Sequence, residues 1–400
     1  MDNNVDLREI DIREEVGHTP TITVVGVGGG GNNTIAHLIR TGTYQNIRLM
    51  IANTDLQHMQ NSPAKNHIIL GKKLTKGLGA GMKPEKGREA AEECYDEIKQ
   101  SFNGSDLIII SAGLGGGTGT GAAPIFAKAA KEIGALTIAV VTKPFAYEGA
   151  RRAKLAEEGL KELYEVCDSI VVIPNQKLLS VIGKNTGYRE SMGYVDDVVA
   201  RAVNGISSVM LNNSNEGINV DFQDLCTIMD NRGYALMGIG EAEGEDAAEQ
   251  AVRNAIESPL FDNMSINGCM GAIVNYEFHP EFPFYAISTS MEIIQEAASE
   301  DAHIIFGTMP REGFDPNRVR VSIIATGFKT GQTEAILPQR TPSTVEVSMP
   351  QETLPTLPTA DTQMKPDIFP NFTQHKEKVS SGDYNEDELD EPTYLRYKKD

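Results

Sequence analysis

The sequence predicts an α/β protein built on a mainly parallel sheet, and three observations carry that expectation. Short β-branched runs alternate with helical stretches from Thr21 onward. Two glycine-rich segments each follow such a run and open a helix. One long amphipathic stretch then separates this region from a second α/β unit.

The strands are expected at Thr21–Val25, Arg48–Ala52, Leu107–Ser111, Leu136–Thr142 and Ser169–Ile173, with helices starting near Asn33 and Gly121. Crossovers between parallel strands are right-handed. In the long stretch Glu190–Leu211, Met192, Val195, Val199, Ala202, Ile206 and Val209 recur at spacings of three and four, which is one apolar helical stripe. The loop Asn212–Val220 ends it. The second unit runs from about Asp221 to Phe328, with later strands at Cys269–Tyr276, Ala302–Thr308 and Arg318–Thr326.

Composition narrows the function classes. Hydrophobic residues make up 40% of the 400, enough for a sizeable core. Tryptophan is absent and the formal net charge is -20, so a phosphate backbone would be repelled and aromatic stacking platforms are scarce. This argues against nucleic-acid binding and against direct docking on an anionic membrane. Cys94, Cys167, Cys226 and Cys269 are scattered without a CxxC pair, the pattern of a reduced cytoplasmic protein. The polar, acidic start Met1–Glu15 does not read as a signal peptide, and the longest apolar runs fall far short of a membrane span. A soluble protein is expected, one that reaches membranes only through a partner.

The chemistry sits in the glycine segments, Val25-Gly26-Val27-Gly28-Gly29-Gly30-Gly31-Asn32-Asn33 and Gly113-Leu114-Gly115-Gly116-Gly117-Thr118-Gly119-Thr120-Gly121. Glycine lets backbone N–H groups approach an anion without a Cβ in the way. A helix N-terminus adds aligned N–H groups and partial positive charge. Two such loops at neighbouring strand ends would wrap a polyphosphate from two sides. The first loop alone also suits a dinucleotide fold, with Asp55 as the ribose acid of a nicotinamide-dependent oxidoreductase. The second loop has no use in that fold, and no GxxxxGK[ST] phosphate loop occurs anywhere.

Gly115–Gly121 resembles the signature of the tubulin/FtsZ family. The resemblance continues in order through Asn53-Thr54-Asp55, Thr75–Gly81, Thr142–Phe145, Glu148 to Arg152 and Ile173-Pro174-Asn175. It implies a Rossmann-like GTP-binding domain at 20–188, preceded by a flexible arm at 1–19. A central helix at 189–212 and a GTPase-activating domain at 213–328 follow. A disordered linker at 329–383 and a partner-binding tail at 384–400 complete the implied organisation. The linker reading also stands on composition, since seven of the 19 prolines lie between Pro338 and Pro370. The implied function is a GTPase that polymerises head to tail into filaments of the bacterial division ring at mid-cell.

By the same resemblance, Gly29, Gly30, Gly31, Asn32, Asn33, Gly116, Gly117, Thr118 and Gly119 contact the phosphates of GTP or GDP. Glu148 holds the ribose, and Arg152 lies beside ribose and phosphates. Spacing alone would make that pair an i,i+4 surface ion pair worth about 0.3–0.5 kcal/mol. Asp196 reads the guanine edge, helped by Asn33 and Asn175, because a carboxylate can accept from both N1 and N2 of guanine. Left to spacing, Asp196 and Asp197 are solvated helix acids. Met192 stands where relatives often have a stacking Phe, and Lys83 where Asn is common.

Asn219-Val220-Asp221-Phe222-Gln223-Asp224 follows the long helix. By spacing, Asp221 and Asp224 are an N-cap and a first-turn acid. By resemblance they are the acids of a loop that, with Asn219, activates water on the GTP of the neighbouring subunit. This opposes a third reading, a scaffold that binds nucleotide without hydrolysing it. A Mg²⁺ ion held by water and phosphate oxygens accompanies the nucleotide. In the tail, Asp390, Pro392, Tyr394, Leu395 and Arg396 resemble the peptide that docks on membrane-tethering division proteins, with Tyr394 and Leu395 as apolar anchors.

Overall fold

The computed structural model describes residues 20–42, 47–183, 185–211, 222–229, 233–261, 266, 269–299 and 301–328. All lie in the first of the chain's two compact units, Met1–Arg340. Their strands form one ten-stranded sheet in the order β3-β2-β1-β4-β5-β6-β7-β10-β8-β9.

The first seven positions of that order are parallel throughout: β3 (Asn66–Ile69), β2 (Ile47–Asn53), β1 (Ile22–Val27), β4 (Leu107–Gly113), β5 (Leu136–Lys143), β6 (Ser169–Pro174) and β7 (Gly233–Glu243). Then β10 (Arg318–Thr326) runs antiparallel between β7 and β8 (Gly271–Phe278), and β9 (His303–Pro310) closes the edge parallel to β8. The central strands are continuous apolar runs because both faces are covered. In β1, Val25 and Val27 point into one core with α5 (Thr118–Glu132). Ile22 and Val24 point into the other, with α1 (Gly28–Thr41) and α8 (Tyr188–Leu211).

The long amphipathic stretch is α8. Val195, Val199, Ala202 and Ile206 of its stripe are buried, and Val198 and Val203 are buried beside them. The helix lies against the sheet from β5 to β9, so it joins both halves of the chain. The halves also share the sheet itself, through the pairing of β6 with β7.

Two differences from the sequence expectation have a steric origin. Helices α1 and α5 begin at Gly28 and Thr118, several residues before Asn33 and Gly121. Glycine is a poor helix former, yet tertiary packing overrides that preference here. Strand β7 was not expected, since Gly238 and Gly240 interrupt its apolar pattern. A Cβ on Gly240 would sit 1.9 Å from the carbonyl oxygen of Ala251, and one on Gly238 would sit 2.2 Å from that of Ala255. Both glycines let helix α10 (Ala247–Ile256) press its backbone onto the strand.

Candidate functional site

The chain leaves β1 toward β2 and β3, then returns to place β4 on the other side of β1. In open α/β sheets such a reversal opens a crevice at the carboxyl ends of the two strands, where ligands bind. Helices α1 and α5 both start there, and each leaves first-turn N–H groups without helical acceptors.

The two N-termini approach each other through their glycines. A Cβ on Gly28, whose φ is +73°, would lie 2.7 Å from the nitrogen of Gly119. One on Gly30 would lie 3.1 Å from the Cα of Gly113, and one on Gly31 would meet the carbonyl oxygen of Ser111 at 2.2 Å. On the far side Gly117 fits against the next loop, where its Cβ would lie 2.9 Å from the nitrogen of Lys83. Gly116 differs, because a Cβ there meets nothing within 4 Å. Most of these glycines therefore serve packing, and Gly116 borders open space.

A cavity of about 530 Å³ lies over the ends of β4 and β5, walled by α1 on one side and α8 on the other. Of the residues singled out from sequence, Gly30, Asn33, Glu148, Arg152, Asn175 and Asp196 line it, and so does Met192. Gly29 is exposed at the start of α1. Asn32 is buried away from the cavity. In the amide orientation that pairs donors with acceptors, its nitrogen donates to the carbonyls of Gly26 and Gly28, each at 2.9 Å, and its oxygen accepts from Asn53. It ties the loop to β2. Thr118 Oγ1 lies 2.7 Å from Thr54 Oγ1, so its hydroxyl is already engaged.

The polar groups of the cavity divide by type. Glu148 accepts from the backbone N–H of Phe145 at 2.9 Å and from Arg152. The ion pair foreseen from spacing thus exists, and it forms part of the cavity wall. The Nε of Arg152 is buried with no partner among the described residues. Toward α8 the free groups are acceptors. Asn175 Oδ1 is buried without a partner, and Asp196 makes no ion pair with a described residue. Burial pushes the Asp196 carboxyl up to about 6, against the pull of His37 and Arg40. The cavity offers N–H donors at the glycine end and unpaired acceptors at the α8 end. That arrangement suits a ligand with anionic groups at one end and N–H groups at the other.

Sequence reasoning gave no site role to several lining residues. Phe145 and Tyr147 stack with ring centroids 5.0 Å apart, and Tyr188 stands at the rim, 78% exposed. Ser111 and Thr142 contribute hydroxyls from the ends of β4 and β5. The strand ends themselves were the available signal. Asp55, the ribose acid of the dinucleotide reading, instead caps α2 (Leu56–Gln60) by accepting from His58 N at 3.2 Å.

Asp224 lies elsewhere. It is exposed in the first turn of α9 (Phe222–Met229). Phe222, Gln223, Cys226 and Thr227 of that helix border a pocket with Ser105, Asp106, Leu136 and Asp168, the residues at or just before the starts of β4, β5 and β6. Strand β4 has seven residues, so the two ends of the sheet are ~20 Å apart at about 3.3 Å per residue. Asn219, Asp221 and the tail residues Asp390, Pro392, Tyr394, Leu395 and Arg396 lie outside the described residues.

Comparison with known proteins agrees with this architecture. Residues 21–183 match the model of the Tubulin/FtsZ family GTPase domain, and residues 233–329 match that of the FtsZ family C-terminal domain. The cell division protein FtsZ of Helicobacter pylori strain J99 is 47% identical over 384 residues, covering 95% of this chain and 92% of that one. The chain belongs to the FtsZ family. A solved FtsZ dimer of M. jannaschii superimposes with a TM-score of 0.74 at 40% identity, covering 79% of this chain and 90% of its own. CetZ2 from Haloferax volcanii, solved as a GTPγS-bound protofilament, shares the fold with a TM-score of 0.62 at 20% identity. Membership of FtsZ, a cell division family with a GTPase domain, implies that the chain binds guanine nucleotide.

Two predictions follow from the glycine contacts and from Asp196. Gly116→Ala should keep the thermal midpoint, because its Cβ meets nothing within 4 Å, and weakened nucleotide binding in that variant would place ligand in the open space it borders. Gly28→Ala should lower the midpoint through backbone strain and a clash with Gly119. Thermal melts with GDP titrations separate the two, and equal melting losses would contradict the packing argument. Asp196→Asn should stabilise the ligand-free protein at pH 7 by on the order of 1–2 kcal/mol, after allowance for partial exposure. The sign follows from a folded pKa raised above the unfolded one: the native state takes up a proton as pH falls through about 6. The gain should therefore shrink between about pH 6 and pH 4. Melting curves across that range check it, and a gain independent of pH would refute the assignment.

Proposed function

We propose that this chain hydrolyses GTP and polymerises head to tail, with each active site shared between adjacent subunits of a filament in the bacterial division ring. The single observation that carries the reading is the opposition of the two ends of the parallel sheet. The nucleotide cavity lies at the carboxyl ends of β4 and β5, and Asp224 lies near their amino ends. No motion within one subunit closes a gap of ~20 Å across a packed sheet. Stacking a second copy along the strand direction brings Asp224 of one subunit over the nucleotide of the next. The dimeric FtsZ of M. jannaschii supports self-association.

In this reading the N-termini of α1 and α5 take the phosphates, with Gly30 lining the cavity. Glu148 and Arg152 flank the ribose. Asp196 and Asn175 accept from the guanine edge, and adenine would leave them unpaired. Asp221 and Asp224 of the neighbouring subunit, with Asn219, orient the attacking water and accept its proton. Placing that water is the main lever in phosphoryl transfer. Among the described residues no group of three or more His, Cys, Asp or Glu is arranged to hold a metal. A magnesium ion would therefore arrive on the phosphates, hydrated, and neutralise their charge.

Residues 384–400 dock on membrane-tethering division proteins, with Tyr394 and Leu395 as the buried anchors. No described helix is long and apolar enough to cross a membrane, which fits recruitment through partners. Deleting 384–400 should leave GTP hydrolysis largely intact and abolish recruitment to partner-bearing vesicles. Recruitment that survives the deletion would place the docking element elsewhere.

The shared site is tested by mixing two defective proteins. Asp224→Ala should bind GTP and assemble but hydrolyse on the order of 10²–10⁴ more slowly. Thr118→Arg should fail to hold GTP while keeping a sound Asp221/Asp224 loop. Where co-sedimentation shows both in one polymer, the mixture should hydrolyse GTP faster than the sum of its parts. Co-assembly without that gain would rule out catalysis across the interface.

A further inference from the structure

We propose that His37 is a positioning residue for base recognition: acting through Asp197, it sets where α8 presents Asp196 to the nucleotide base. The inference rests on the guanine-nucleotide reading of the cavity and adds the residue that fixes the spacing of its two walls.

One wall is α1, which lines the cavity with Asn33 and Thr34. His37 is four residues after Asn33, so it lies one turn further along the same helix face. The other wall is α8, which contributes Asp196. Asp197 follows it and is rotated about 100° around the helix, away from the cavity. His37 Nε2 lies 3.5 Å from Asp197 Oδ1, within ion-pair reach but without a hydrogen bond. The second carboxylate oxygen of Asp197 accepts from Arg201, one turn along α8, whose side chain is only 5% exposed. Asp197 thus faces a basic side chain from each helix. The contact bridges α1 and α8 one turn behind the groups that face the ligand.

The adjacent acids have opposite fates. Burial raises both carboxyls. For Asp197 the neighbouring His37 and Arg201 prevail and hold it down to about 2. For Asp196 burial prevails, and the carboxyl stays up near about 6. A charged group fixed this firmly next to one left unpaired has the form of a support and a reader. The charged groups facing Asp196 are His37 and Arg40 from α1, Asp197 on its own helix, and Glu148 and Arg152, which line the same cavity.

His37 and Asp197 also border a second cavity of about 470 Å³. A shortened side chain at 37 therefore leaves space that water can fill, and folding should survive.

The experiment compares GDP and ADP binding to the full chain, its His37→Asn variant and its His37→Gln variant from pH 5.5 to pH 8. The glutamine amide is long enough to reach Asp197, and the asparagine amide is not. The preference for GDP over ADP should fall about tenfold in His37→Asn, which leaves the contact between α1 and α8 unmade, and persist in His37→Gln, which restores it. In both variants the acid-side loss of GDP affinity should move to higher pH, because a cation that favours ionised Asp196 is gone. Thermal melts confirm folding, and His37→Ala replaces the asparagine variant if that protein does not fold. An unchanged GDP preference in His37→Asn overturns the proposal, even with a shifted pH profile, since His37 would then act by charge alone. A wild-type chain that does not distinguish GDP from ADP would overturn the nucleotide reading and this inference together.

Discussion

The rest of the structure depends on the contact between two helix N-termini, backbone to backbone, at the reversal of strand order between β1 and β4. Helices α1 and α5 each bring partial positive charge to that point. They come this close only because Gly28, Gly30, Gly113 and Gly119 leave no side chain between them. Two dipoles of the same sign at one locus repel each other, and nothing in the described side chains neutralises them there. An anion does. The buried core of both sheet faces holds the two helices in an arrangement that is electrostatically complete with a polyphosphate in place.

The same division of labour holds at the α8 end. Two deeply buried polar side chains serve geometry: Asn32 ties the first loop to β2, and Arg201 donates to Asp197. The groups left unpaired, Asp196 and Asn175 Oδ1, face the cavity. Unpaired buried acceptors weaken the free protein, and a ligand that satisfies them recovers that free energy as affinity and selectivity.

Much of this was legible in the sequence, for identifiable reasons. The central strands stood out because burial on both faces makes them continuous apolar runs. The long helix stood out because its stripe is periodic. Helix starts were placed too late because glycine argues against helix locally, while the crowding that requires it is tertiary. Strand β7 was hidden by Gly238 and Gly240, which answer to α10 and not to strand preference. Strand β3 is a four-residue edge strand with two exposed positions, too short and too polar to show a pattern. At the site, spacing gave the Glu148–Arg152 pair correctly, and only the family resemblance gave its location. Asp196 could be told from Asp197 by resemblance alone, since neighbouring acids on a helix look alike until the packing of α1 is known. His37 carried no signal at all. Its meaning lies in what stands opposite.

The pairing of β6 with β7 has a further consequence. Among the described residues this ladder is only three pairs long, Ser169 with Gly233, Ile170 with Tyr234 and Val171 with Ala235. Its neighbours are longer, with six pairs between β5 and β6 and eight between β7 and β10. A sheet bends most easily where the fewest hydrogen bonds resist. This narrow seam makes the molecule two stiff plates joined at a crease, with α8 laid across it as a splint. Any load that tilts one plate against the other is then felt first along α8, the helix that carries Asp196.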